Sequence, residues 1–399
     1  MTHSASDAPL RVLHVIGGLN RGGIEAWLMY LLRRADRSQL EMDFLVHTKE
    51  TCSYDAEALS LQARILRCPL SPPWSNVWNL WNRMRGPVRY DVVHSHSGNY
   101  SGWVLSIAAL AGIPVRIAHG HLDTRTEDRR ANLSRRAYLR TMDQLLRRNA
   151  TAGFACSTQA GKALYGSSWG RDPRWSLFPY GVDLRPFQAP TRPSLRDELG
   201  IPRDAFVIGH AARFVEFKNH AFIVAIAREI AARDPAPHFL LVGDGALRNN
   251  IERLVAEAGL KPRFTFTGER NDVAALMTSA MDVLVFPSLY EGLPVTLVEA
   301  QAAGLPCLVS ENVSPESRVV GNLYHQESLR ASPSIWADRL LQLPRKRTDE
   351  DRERALLAVK STVFEINSNL QALHERYLRL LNDAGQSPNH RPVLSNSSG

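Results

Sequence analysis

Two glutamates, Glu291 and Glu299, lie in the stretch FPSLYEGLPVTLVEAQAAGLP (286–306), with seven residues between them. Pro294 sits where a helix would begin, a place where its missing N–H is harmless. Apolar residues then recur at helical spacing until Gly304 and Pro306 stop the helix. A loop therefore carries the first acid and a helix the second. If helical throughout, eight residues span about 12 Å, whereas carboxylates that cleave one glycosidic bond sit roughly 5–9.5 Å apart. The two acids need not act on one atom. They suit holding two parts of a long ligand, with the helix start between them offering N–H groups and a positive dipole end to a diphosphate. The plainer alternative is one turn glutamate and one solvated helix glutamate.

Arg213 and Lys218 are a second candidate pair. Two cations a loop apart suit a diphosphate, since Arg gives a planar fork and Lys a point charge; two unrelated surface cations are the alternative. The run Gly17-Gly-Leu-Asn-Arg-Gly-Gly23 follows a strand and precedes a helix. It is not the G-x-G-x-x-G dinucleotide fingerprint, and no acid sits clearly at the end of a second strand to hold a ribose. Its glycines still permit close backbone approach, or they simply make a tight turn. His94, His96, His119 and His121 fall at the carboxyl ends of two strands, and residues two apart on a strand share a face. No carboxylate or cysteine completes a metal-ligand set with them, so no metal is expected. Asp349-Glu-Asp351 lies in a charged helical run and reads as solvated. No G-x-S-x-G nucleophile setting is present.

The elements that must position these residues alternate strand and helix. In the first half the strands are 11–16, 42–46, 91–94, 115–119 and 154–157, with helices at 24–34 and 101–111. The loop-rich stretch 69–87 holds Trp74, Trp78 and Trp81 and reads as a helix packing its aromatics, with a recognition surface as the alternative. Pro186, Pro190 and Pro193 mark a linker. The second half begins afresh: strands 206–211, 238–242, 264–266, 283–286 and 307–309, with helices 219–233, 246–258, 271–280 and 294–303 between them. This rhythm gives an α/β fold with two doubly wound parallel sheets in series. Ligands bind outside the carboxyl ends of such strands, and a cleft between two such domains is the default site. Segments 334–343 and 350–383 read as helical, and the tail 385–399 as disordered.

The 399-residue length, 44% hydrophobic content and 22% charge fit a soluble globular chain of two to three domains. No apolar run reaches the length of a membrane span, and the polar N-terminus lacks a secretion signal. Cys52, Cys68, Cys156 and Cys307 are scattered, which suits free thiols in a reducing compartment. The net charge of +8 is uneven: residues 1–185 hold 24 Lys/Arg against 15 Asp/Glu, the remainder 24 against 25. A basic first half suggests an anionic partner. No nucleic-acid motif accompanies it, so nucleic acid is not expected. Segment 125–148 holds Arg125, Arg129, Arg130, Arg135, Arg136, Arg140, Arg147 and Arg148 among apolar residues at helical spacing. It reads either as an amphipathic helix for an anionic membrane surface or as a domain helix with a solvated basic face.

Taken together, the motifs resemble glycosyltransferase family 4. Glu291-Gly-Leu-Pro-Val-Thr-Leu-Val-Glu299 is similar to its paired-glutamate motif, and Arg213-Phe-Val-Glu-Phe-Lys218-Asn to its Arg…Lys-Asn motif. Leu241-Val-Gly-Asp-Gly-Ala, Phe266-Thr-Gly268 and Tyr180-Gly-Val-Asp183 resemble further family segments. Gly22-Gly-Ile-Glu25, Tyr90-Asp-Val-Val-His-Ser-His96, Arg116-Ile-Ala-His119 and Ala155-Cys-Ser157 resemble the branch that builds bacterial exopolysaccharide and capsule. The resemblance covers roughly residues 10–325.

It implies a GT-B fold of two Rossmann-like domains. They would span 1–185 and 186–364, with a last helix at about 365–383 crossing back to the first. It also implies metal-independent, cofactor-free transfer from a nucleotide sugar with retention of configuration. By carry-over, Arg213 and Lys218 hold the diphosphate and stabilise the departing nucleotide. Glu291 contacts the donor sugar, Glu299 the ribose, and His119 the sugar near the reacting carbon. Gly22, Gly23, Gly268, Gly292, Leu293, Val295 and Thr296 complete the donor-binding set. Many relatives have glycine at Pro294, so Val295 and Thr296 must supply the N–H groups there. The expected protein is a cytoplasmic hexosyltransferase at the inner face of the cell membrane. Its acceptor is a polyprenyl-diphosphate-linked saccharide. The rivals are another GT-B enzyme, such as a nucleotide-sugar epimerase or hydrolase, and a non-catalytic scaffold of polysaccharide assembly.

Overall fold

Runs such as Val283-Leu-Val-Phe286 have no polar alternation, and every one of these side chains is fully buried. Strands of this kind need cover on both faces, which only a parallel sheet flanked by helices supplies. A computed structural model of the chain describes residues 8–70, 73–125, 128, 132–233, 237–345 and 347–385. It divides into two compact units: Met1–Gly181 with Ile366–Gly399, and Val182–Glu365.

The first unit holds seven strands: β1 (Leu10–Ile16), β2 (Leu40–Val46), β3 (Ile65–Arg67), β4 (Val92–Ser95), β5 (Val115–Gly120), β6 (Ala152–Ala155) and β7 (Trp175–Leu177). All pair in parallel, in the order β3-β2-β1-β4-β5-β6-β7. The helix Ile366–Asp383 belongs to this unit, and its Ile366, Leu373, Tyr377 and Leu381 are buried at helical spacing. Trp27 Nε1 donates to Asn369 Oδ1 at 2.8 Å, and Asn369 Nδ2 donates to the Pro179 carbonyl. These bonds fix the helix against the loop after β7.

The second unit has six parallel strands: β8 (Val207–Ala211), β9 (His238–Val242), β10 (Phe264–Phe266), β11 (Val283–Phe286), β12 (Cys307–Ser310) and β13 (Tyr324–Glu327). Their order is β10-β9-β8-β11-β12-β13. Ile208, Phe239, Leu241, Val283 and Val285 pack against Ile223, Ile226 and Ile230 of the helix His220–Arg233, with Trp336 and Leu340 beside them. In both units the strand order reverses beside the first strand. Chain connections leave in opposite directions there, and a crevice opens at the carboxyl edge.

Two expectations are corrected. The helix read over 350–383 is two helices, Asp349–Lys360 and Ile366–Asp383, with a turn between them. Its Thr362 hydroxyl donates to the Val359 carbonyl, and the Phe364 carbonyl accepts from the Val182 amide. Strands β3, β7 and β13 were not anticipated. The aromatic segment is a helix over Pro73–Met84, where Trp78 is exposed and stacks on Trp81. Arg129, Arg130 and the tail beyond Gly385 lie outside the described residues.

Candidate active site

In the second unit the crevice lies between β8 and β11. The loop after β8 carries exposed Arg213 and then Lys218; the loop after β11 carries Glu291. Asn219, at φ +58°, takes the left-handed conformation that asparagine tolerates better than most residues. From there its Nδ2 donates to the Pro287 carbonyl at 3.1 Å. The Leu289 amide donates to the Phe217 carbonyl at 2.8 Å, and Phe217 stacks on Tyr290. The two loops are thereby fastened together. Lys218 Nζ meets Glu291 Oε1 at 2.5 Å, with the side chains only 14% and 7% exposed, and Nζ lies 4.9 Å from the centre of the Phe286 ring. A buried pair of this kind is held in one geometry and is strongly sensitive to loss of either partner.

Two glycines of the Leu241–Ala246 motif are required by close approach. A Cβ on Gly243 (φ +129°) would strike the Ala212 carbonyl, and one on Gly245 (φ +154°) would lie 2.7 Å from the Phe214 carbonyl. The loop after β9 can therefore lie against the loop that carries Arg213, and the Phe214 amide donates to the Asp244 carbonyl. The Gly243 amide donates to the Gly268 carbonyl, which draws Gly268 (φ +71°) to the same edge.

The helix expected from Pro294 begins with Pro294 as its cap and runs Val295–Ala302. Its first-turn amides at Val295 and Thr296 have no intrahelical acceptor and carry the positive end of the dipole. Gly292 and Leu293 are buried in the loop before it. Glu299, one turn further on, is half-buried. Burial pushes its carboxyl up from the ordinary value to about 7. Arg213, Lys218, Gly268, Glu291, Val295, Thr296 and Glu299 thus all belong to the carboxyl edge of one sheet.

In the first unit, Gly22 and Gly23 open the helix Gly23–Arg34. A Cβ on Gly22 would run into the Glu25 carboxylate, whereas one on Gly23 meets nothing within 4 Å. The four expected histidines are buried and joined by a fifth, His14, which pairs in register with His94 across β1 and β4. They form two hydrogen-bonded rows. In the first, His119 Nε2 faces the Phe178 carbonyl at 3.1 Å, His119 Nδ1 faces His94 Nε2 at 3.2 Å, and His94 Nδ1 faces the Tyr377 hydroxyl at 2.7 Å. A carbonyl only accepts, so His119 carries its proton on Nε2, His94 on Nε2, and Tyr377 donates. The second row runs from Tyr180 through His121 and His96 to His14, at 2.5, 2.9 and 3.0 Å.

Burial drives His14 and His119 down to about 3 and His94, His96 and His121 well below the ordinary value, so all five are neutral at pH 7. Two triplets, His14/His94/His96 and His96/His119/His121, bring ring nitrogens within 4.8 Å. In each triplet one pair is hydrogen-bonded, His14–His96 and His96–His121, and among the described residues no anionic ligand joins either triplet. His119 is fully enclosed, while His121 keeps 8% exposure at the strand end.

Sequence reasoning did not single out Asn219, Gly243, Gly245, His14 or Tyr377. Gly243 and Gly245 were visible as glycines in a quoted motif, but the carbonyls they avoid were not.

Two doubly wound units, one with a cation–carboxylate pair at its switch point beside a helix start, make this a fold and site of the GT-B class. Residues 191–354 match the family described as glycosyl transferases group 1, and residues 22–181 match the glycosyl transferase 4-like domain. The chain is 39% identical over 334 residues to a putative glycosyltransferase, EpsF, of Bacillus subtilis, covering 82% of this chain and 86% of that one. It is 33% identical over 243 residues to the UDP-Gal:alpha-D-GlcNAc-diphosphoundecaprenol alpha-1,3-galactosyltransferase of Escherichia coli, covering 59% and 61%. The fold is shared with the Anabaena protein HepE, solved in complex with UDP and glucose. The TM-score is 0.75 at 18% identity, over 92% of this chain and 99% of that one. The chain therefore belongs to glycosyltransferase family 4, and it is a glycosyltransferase.

Proposed function

We propose that this enzyme moves a hexose from a nucleotide-sugar donor to a polyprenyl-diphosphate-linked saccharide in exopolysaccharide assembly, retaining the anomeric configuration and using no metal. The observation that carries the reading is the buried Lys218–Glu291 contact beside Arg213 and the open helix start at Val295 and Thr296. Two cations and a helix dipole meet a diphosphate there, so the charge that builds on the leaving nucleotide is met without a divalent ion. Glu291 releases Lys218 to the diphosphate and takes a hydroxyl of the donor sugar. Glu299 accepts from the ribose hydroxyls. For His119 to contact the sugar, this enclosed ring must be uncovered, its Nε2–H then donating to a sugar oxygen in place of the Phe178 carbonyl. The Escherichia coli relative uses UDP-galactose and a diphosphoundecaprenol-linked sugar, and on that likeness uridine donors and lipid-linked acceptors are the first to test.

No helix among the described residues is long and apolar enough to cross a membrane. We infer that the enzyme reaches its lipid-linked acceptor by resting on an anionic surface through the helix Leu133–Asn149. Its first turns expose Leu133, Arg135, Arg136 and Arg140, while Met142 and Leu146 face the fold. A Cβ on Gly102 would strike the Met142 carbonyl, so the buried side of this helix lies close against its neighbour, the helix Ser101–Leu110.

The test is a thermal-shift panel of nucleotide sugars, with donor turnover followed with and without acceptor. A native-state ligand at a hundredfold its Kd adds about 2.7 kcal/mol of stability. Rapid donor turnover without acceptor would favour an epimerase or hydrolase, and failure of every donor to bind would favour a scaffold. Binding to anionic vesicles that weakens with salt supports the membrane contact; binding indifferent to salt, or none, opposes it.

A further inference from the structure

At the amino edge of the second sheet, opposite the donor residues, lies a cavity of about 300 Å³. Asp282, which directly precedes β11, lines it, whereas Glu291 follows the other end of the same strand. Five residues of extended chain put the two edges about 16 Å apart. Four arginines line the cavity, Arg196, Arg345, Arg347 and Arg352, against two aspartates, Asp282 and Asp349. Two positive charges are in surplus.

The four are not equivalent. Arg196 forks onto Asp282, at 2.9 Å to each oxygen, and Asp282 also accepts the Val207 amide. That pair is structural and neutral. Arg347 donates to the carbonyls of Met277, Met281 and Ala303, the ends of two helical segments. Its donors are used, but none of these partners carries a charge. Burial lowers it to about 10, and the neighbouring Arg352 and Arg196 push in the same direction against the pull of Asp282. Among the described residues the Arg352 side chain reaches Asp349, at 3.0 Å, and that carboxylate is 96% exposed, so water weakens its hold. Arg352 Nε is buried with no hydrogen-bond partner among the described residues. A buried N–H donor left unpaired is destabilising, and a ligand that accepts from it relieves that cost. Arg345 stands at the rim, its guanidinium 4.8 Å over the Phe206 ring.

We propose that this cavity is a second anion site, taking a phosphate-class oxyanion: inorganic phosphate, pyrophosphate or the phosphate end of a larger molecule. An oxyanion there accepts from Arg352 Nε, offsets the charge of Arg347 and is closed over by Arg345. The site is independent of donor binding and does not rest on the assignment of the donor residues.

The test is thermal unfolding of the full chain titrated with pyrophosphate, and separately with UDP, at constant ionic strength. Wild type, Lys218→Ala, Arg352→Gln and Arg345→Gln are compared. Pyrophosphate at tenfold its Kd is expected to raise the Tm by about 3–5 °C, with saturation, in wild type and in Lys218→Ala alike. Affinity is expected to fall about tenfold or more in Arg352→Gln and to weaken in exposed Arg345→Gln, which leaves the fold intact. UDP matching pyrophosphate in Lys218→Ala identifies a nucleotide phosphate as a source; pyrophosphate acting alone identifies a free phosphate. A shift kept in full by both arginine variants is the general stabilising effect of phosphate salts and overturns the proposal. So does a shift lost in Lys218→Ala, or no saturable shift at all.

Discussion

Removing Lys218 should do two separable things. Glu291 is 7% exposed and faces Lys218 Nζ at 2.5 Å, so Lys218→Met leaves a carboxylate buried without its partner. Breaking such a pair costs about 3–5 kcal/mol, and the 14% exposure of Lys218 puts this one toward the lower end. For a unit of this size about 3 kcal/mol lowers the Tm by roughly 6–12 °C. Glu291→Gln removes the charge at the other end and strands the ammonium, with a loss of similar size. The double variant leaves no unpaired charge and should be no less stable than either single variant, about 3 kcal/mol below wild type instead of the additive loss of about 6, a coupling of about 3 kcal/mol in the cycle. Transfer should not recover in it, because the cation proposed to meet the diphosphate and the carboxylate proposed to meet the sugar are both gone. Urea unfolding gives the stability arm and donor-to-acceptor transfer the activity arm. Additive single losses would refute the buried pair, and a double variant that regains transfer would refute its role in chemistry.

Other expectations follow from titration. His14, His94, His96, His119 and His121 are held neutral in the fold, so below pH 6.5 the unfolded chain takes up protons that the native state refuses. Stability is full above that value and falls as pH falls, by about 1.4 kcal/mol per pH unit for each ring. Urea midpoints at pH 7.5 and 5.5 should differ by the equivalent of about 4–7 kcal/mol, and a flat profile would contradict the neutral rows. Glu299 adds a pH dependence of donor binding. With its carboxyl at about 7, the anion proposed to accept from the ribose grows as pH rises. Donor affinity measured by calorimetry should therefore strengthen from pH 6 to 8 in wild type and be flat in Glu299→Gln; equal slopes would remove Glu299 from the ribose site. Gly243→Ala would drive a methyl into the Ala212 carbonyl at a positive φ. It should weaken donor binding and lower the Tm, and a variant equal to wild type in both would contradict the close loop approach.

Much of this was legible in the sequence because parallel strands buried on both faces are written as unbroken apolar runs. Val283–Phe286 is unbroken, His238–Val242 is apolar after His238, and Leu10–Ile16 is interrupted only by Arg11 and His14; the loops that follow them carry Glu291, Gly243 and Gly17 where a sheet edge puts ligand groups. Strands β3, β7 and β13 are three or four residues long with half-exposed positions, so no pattern marks them. Residue spacing alone did not show the break at 361–365, whereas the family resemblance already implied a last helix from about 365. What needs register was not legible either. His14 gave no sign of its neighbours until β1 paired with β4, and Tyr377 reaches His94 from 283 residues away. The anion cavity gathers Arg196, Asp282, Arg347 and Arg352 from separate segments, and in sequence each is an ordinary surface charge.

The central claim is tested most directly by following one sugar from donor to product. The purified enzyme would be given a UDP-hexose panel and a polyprenyl-diphosphate-linked saccharide in the presence of a chelator, and the linkage formed would be read by NMR. The account predicts one new glycosidic bond on the lipid-linked acceptor, with the donor's anomeric configuration kept and no loss on chelation. It also predicts that Glu291→Gln and Lys218→Met abolish the product. An inverted linkage, transfer that stops with chelation, or full transfer by either variant would contradict it.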